Sequence, residues 1–152
     1  LVFPNRDERL VQFQMFLSFN REAENPFDPL RLATQMFSAA YDVNAEKILA
    51  QQELIQSSPA LIAREREIDR DWEVEIAKAF ALRSTPTLEN ELWSAVVAGA
   101  VMGVIRATMR QWFSRGCEEN LCELGLAAID CLEQGFPEKL AAPEPPKPAK
   151  RN

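Results

Sequence analysis

The chain has 152 residues, 47% of them hydrophobic, and a net charge of −6: enough for one core of domain size, and too little positive charge to grip a phosphate backbone unaided. It has no histidine, which removes Ser-His and Cys-His nucleophile pairs, the commonest general base and histidine zinc sites, so neither an enzyme nor a cofactor is expected. Three cysteines, Cys117, Cys122 and Cys131, are an odd set with no secretory leader in view, and they fit a reducing, cytoplasmic setting.

Asn5 followed by Glu8 resembles a capping box and predicts a first helix over 5–23, with Leu10, Phe13, Phe16 and Leu17 on its apolar side. Asp28-Pro29, Ser58-Pro59 and Thr85-Pro86 each place a capping residue before a proline at the first helical position, and Asn44 can cap a further start. Helices are therefore predicted over 28–42, 44–57, 58–84, 85–115 and 118–135. No strand pattern competes, and the five glycines and ten prolines lie mostly where helices need not continue. The fold class is all-α, a bundle of about six helices.

In the 58–84 helix, Leu61, Ile68, Trp72, Ile76 and Ala79 repeat on one face, and the mixed charges from Arg64 to Glu75 read as a solvated face. The 85–115 helix differs, because Leu92, Trp93, Val96, Val97, Val101, Val104 and Ile105 surround it, so it must be covered on several sides. Its apolar run from Leu92 to Ile105 is shorter than the roughly 20 residues of a bilayer crossing, which predicts core and no membrane. Ala95, Gly99, Gly103 and Ala107 recur every four residues as a line of small side chains that lets another backbone approach.

In the last helix Leu121, Leu124, Gly125, Ala128 and Leu132 share a face, with Glu123, Asp130 and Gln134 opposite. Gly135 ends it, and the Pro- and Lys-containing stretch 137–152 is predicted to be disordered. The carboxylate pairs Glu65/Asp69 and Glu118/Glu119 look solvated, which leaves no carboxylate tuned for acid-base work. Cys117, just before the last helix, is placed where a lowered thiol pKa would make a sensor, although structural thiols are the simpler reading of all three cysteines. Cys122 and Cys131 fall on opposite sides of their helix and cannot share a metal.

The run from Glu89 to Phe136 resembles the last two helices of TetR-family transcriptional regulators: a long helix rich in small residues, Arg106 then Trp112 near its end, a turn at Gly116, and a shorter Leu/Ala helix closing at Gly135. Phe3-Pro4-Asn5-Arg6-Asp7 resembles the phrase that closes that family's helix-turn-helix and opens the next helix, although Arg9 stands where an apolar residue is often found. Within the family, Asp28 to Arg83 is most similar to the C-terminal domain of mycofactocin-type regulators. The resemblance implies an effector-binding and dimerisation domain over 1–136, with 1–5 as the remnant of the junction and the helix-turn-helix lost before Leu1.

From the resemblance follow a ligand-responsive repressor, a homodimer, and operator DNA reached only through the missing N-terminal domain. It also implies a small, mainly apolar effector among inward aromatics, for which Phe37, Tyr41, Trp72, Ile76, Trp93 and Val97 are the candidates; plain core packing explains each of them equally well. The polar atoms of Tyr41, Trp72 and Trp93 would need partners when buried, and Tyr41 is the foremost of the six. The expected four-helix dimer interface takes Ala95, Gly99, Gly103, Arg106, Arg110 and Phe113 from the long helix, and Leu121, Gly125, Ala128 and Leu132 from the last. A stand-alone helical dimerisation or interaction protein without DNA binding is the alternative.

Overall fold

The computed structural model describes residue 3 and residues 6–135, which form six helices: α1 (Arg6–Phe19), α2 (Asp28–Val43), α3 (Ala45–Gln56), α4 (Pro59–Ala81), α5 (Leu88–Ser114) and α6 (Leu121–Glu133). The Asn5 cap, the Pro4 junction and the stretch 136–152 lie outside the described residues.

The helix starts follow the available oxygen acceptors more closely than the prolines. Ahead of α2, Asn25 Oδ1 accepts from the Phe27 amide at 2.9 Å, so Asn25 turns the chain and Asp28-Pro29 are already helical. At α5 the capping oxygen is Thr87 Oγ1, which accepts from Asn90 N at 3.2 Å, while Pro86 stays outside; the helix begins three residues later than predicted. Asn120 Oδ1 accepts from Glu123 N at 2.9 Å and opens α6, again three residues late. Ser58 holds the extended cap conformation before Pro59 without a side-chain bond. Asn44 donates its amide back to Ala40 O at 2.8 Å, closing α2 instead of capping α3.

α1 also stops short of 23, because Arg83 takes up carbonyls of the following loop, Arg21 O at 2.8 Å and Ala23 O. Phe13 and Leu17 of α1, Leu30 and Ala33 of α2, Ile76 and Phe80 of α4, Ala98, Val101 and Met102 of α5 and Ile129 of α6 make the core. α4 packs chiefly on α5, α6 lies against both α2 and α5, and α1 and α3 lean on α4. The short connection between α4 and α5 makes them antiparallel neighbours.

Two joints fix α6. Gly116 (φ 69°) and Cys117 (φ 61°) both adopt the left-handed conformation, and their amides return to Phe113 O and Trp112 O at 3.0 Å. Trp112, fully buried, donates its indole N–H across this turn to Glu119 O at 2.9 Å. Farther along, Arg31 of α2 pairs with Asp28, and with Asp130 and Glu133 of α6, a network that raises the arginine's pKa and holds the Glu133 carboxyl below the usual range.

Candidate functional site

The six aromatic and aliphatic pocket candidates separate into different surroundings. Phe37 and Trp72 close on Phe13, with ring centroids 4.4 Å apart for Phe13–Trp72, 5.8 Å for Phe37–Trp72 and 6.4 Å for Phe13–Phe37. Tyr41 stands 6.3 Å from Trp112; its hydroxyl accepts from Arg9 Nη1 at 3.2 Å, and the Arg9 guanidinium also lies 5.3 Å over its ring. Arg9, the departure from the family phrase, is therefore the hydrogen-bond partner of the half-buried Tyr41 hydroxyl. Ile76 is fully buried and Val97 packs on the core.

Trp93 is the correction. It rests on Phe80 at 6.1 Å and is 56% exposed, at the outer margin of α5, because Ser94, Ala98, Val101 and Met102 occupy the buried face. The six candidates thus do not ring one cavity. A void of about 20 Å³ under the α1–α2 loop, walled by Leu17, Leu30, Ile76 and Phe80, has room for about one water.

The larger concavity is elsewhere and is charged. A cleft of about 520 Å³ between α4 and α5 is lined by Arg66, Asp69, Arg70, Glu73 and Arg106. It overturns the reading of the 64–75 stretch as a wholly solvated face: burial raises the pKa of Asp69, opposed by Arg106 and reinforced by Glu73, and burial together with Asp69 raises that of Glu65. The signal was the i, i+4, i+8 repeat of Glu65, Asp69 and Glu73, which sets three carboxylates in one row. What the sequence did not show is that α5 lies across that row, with Arg106 Nη1 3.9 Å from Asp69 and Gly99 beside Glu73.

The association candidates also divide. On α5 the side away from the core carries Leu92, 68% exposed, and Val96, 60% exposed, followed by Gly103, where a Cβ would meet nothing within 4 Å. A Cβ on Gly99 would meet only Glu73 Oε1, at 3.7 Å. Ala95, Arg106 and Arg110 are exposed and Phe113 is half-buried.

On α6 the expectation is corrected for three positions. Leu121 is buried in its own chain, and a Cβ on Gly125 would stand 2.7 Å from the Thr34 methyl of α2. Leu132 likewise packs on the core, and Ala128 is half-buried. With 13 residues and one apolar stripe, α6 uses that stripe on α2 and α5; Glu123, Ala127, Asp130 and Gln134 remain outward, flanked by half-buried Leu124 and Cys131. Burial pushes the Cys117 thiol pKa up, the opposite of what a sensor needs and in keeping with a structural thiol.

The described residues form an all-helical bundle with a long penultimate helix and a short closing helix, consistent with an all-α TetR-type C-terminal domain. The family model of the MftR C-terminal domain matches residues 24–137, and the chain belongs to that family. It is a mycofactocin-regulator-like member of the regulatory TetR class. No curated protein and no solved structure matches the chain. By length and composition alone α5 would suffice to cross a membrane, but it lies in the bundle between α4 and α6.

Proposed function

We propose that this chain is the effector-binding and dimerisation part of a ligand-responsive transcriptional repressor, acting in the cytoplasm as a homodimer and reaching operator DNA through a helix-turn-helix preceding Leu1. The observation that carries the reading is α5: only 22% of its most apolar stretch is buried, and the uncovered side is the line of Leu92, Val96, Gly99 and Gly103. Apolar surface left in water forgoes about 25 cal/mol per Å², and a helix bare of side chains at two glycines admits a second helix at close range. The partner's α5 would sit on that line, with Ala95, Arg106, Arg110 and Phe113 at its margins. α6 would contribute Leu124, Ala127, Ala128 and Cys131, in place of Leu121, Gly125 and Leu132.

The effector in this reading is small and mainly apolar. It would enter where Phe13, Phe37 and Trp72 meet, beside Tyr41 and Trp112, by displacing rings that now close on one another. Both groups touch α1, through Phe13 and through Arg9 on Tyr41. A ligand that binds better when they part would tilt α1, the helix next to the DNA-binding head, and lower operator affinity.

The test is a gel-shift titration of the full-length gene product against DNA upstream of its own gene. The proposal expects a dimer–DNA complex that a Phe37→Ala or Trp72→Ala substitution makes unresponsive to effector. The net charge of −6 favours the alternative of an interaction module without DNA binding. A full-length product that never shifts its own upstream DNA would establish that alternative.

A further inference from the structure

We propose that the charged cleft between α4 and α5 receives the acidic first turn of α5, Glu89 and Glu91, from a second copy of this chain; the inference rests on the dimer reading above. The cleft offers cations with little to hold. Three arginines and two carboxylates, Asp69 and Glu73, line it; among the described residues Arg66 and Arg70 have no carboxylate within 4.0 Å and Arg106 has only Asp69, at 3.9 Å, while Arg110, one turn farther along α5 and outside the lining, has none within 4.0 Å. At the other end of α5, Glu89 and Glu91 are exposed and among the described residues have no cation within 4.0 Å, next to Leu88 and Leu92, 87% and 68% exposed.

The two sets lie at matching distances from Gly99 and Gly103. Glu91 precedes Gly99 by eight residues and Arg110 follows Gly103 by seven, roughly 10–12 Å along the helix in each direction at 1.5 Å per residue. α4 runs antiparallel to α5, with Glu73 beside Gly99 and Asp69 beside Arg106, so Arg70 and Arg66 flank the C-terminal half of α5. Two copies of α5 crossing antiparallel at Gly99 and Gly103 therefore lay the acidic turn of each over the arginine end of the other. A two-fold axis makes this contact twice. Parallel pairing would set acid on acid and arginine on arginine, so the charge pattern also selects the orientation.

The experiment is sedimentation equilibrium on the whole chain, on Arg66→Glu/Arg70→Glu and Glu89→Arg/Glu91→Arg double variants, and on their equimolar mixture. Each double variant alone should dimerise about 10-fold or more weakly than the natural chain, and the mixture should recover the natural affinity, because both clefts then face opposite charge. Circular dichroism checks folding; if a reversal unfolds, Arg66→Gln/Arg70→Gln with Glu89→Gln/Glu91→Gln replaces it, each expected to lose the salt dependence of association. A dimer indifferent to these changes, or a mixture no tighter than its components, overturns the cleft contact and leaves the dimer standing. Inorganic phosphate that occupies the cleft without weakening the dimer overturns the contact equally. A natural chain that stays monomeric removes the dimer reading itself.

Discussion

Gly125 of α6 and Thr34 of α2 touch so closely that a Cβ on the glycine would lie 2.7 Å from the threonine methyl. Thr34 cannot easily turn away, since its hydroxyl donates to Leu30 O at 2.9 Å and it is β-branched in a helix. Gly125→Ala should therefore force α6 off α2 and cost about 1–3 kcal/mol in chemical denaturation. Unchanged stability would mean that the two helices are not packed through this glycine.

Gly103 is the opposite case, with open space where its side chain would be. In the dilute, monomeric chain Gly103→Ala should stabilise by about 0.5–1 kcal/mol, the ordinary gain in a helix interior. Its cost should appear only in association, as a larger dimer dissociation constant. Destabilisation of the dilute monomer would place Gly103 in an intrachain contact.

Two carboxylates should respond to pH in opposite senses. Burial raises the Glu65 pKa above its ordinary 4.5, so its charge penalises the fold at neutral pH and the penalty disappears as pH falls below 4.5. Glu65→Gln should melt higher than the natural chain at pH 7 and equal to it near pH 4. Arg31 and Asn25 lower the Glu133 pKa below 4.5, so its contribution is present above 4.5 and is lost as pH falls through the lower folded value. Glu133→Gln should melt lower at pH 7, with the difference closing only in stronger acid. Parallel pH profiles for the two variants would contradict the assignment.

Burial raises the Cys117 thiol pKa above its ordinary 9.0. Its alkylation rate, followed site by site by mass spectrometry, should be slow at neutral pH and still rising at pH 9, because the thiolate fraction levels off only once the pH passes the raised pKa. Rapid labelling at neutral pH would restore the sensor reading.

The sequence was most informative where a local rule acts alone. Six helices were legible because caps, prolines and apolar periods agree, and the turn at Gly116 was visible in its glycine. The slips have local causes too: Thr85-Pro86-Thr87 offers two capping hydroxyls and the later one caps, and Glu118-Glu119 looks like a helical first turn although Asn120 supplies the acceptor. What could not be read is which neighbour each face meets. Leu121 and Gly125 look the same whether α2 or another subunit covers them, and the arginines of α4 look solvated until α5 is seen to cross them. Trp93 shows the same limit, one position from a buried serine and yet outside.

The most direct measurement is the sedimentation equilibrium of the natural chain beside Gly103→Leu, with circular dichroism to verify helicity. Association through α5 predicts a dimer at low micromolar concentration for the natural chain and a fully helical monomer for the variant. A natural chain that remains monomeric, or a variant that dimerises equally well, would contradict it.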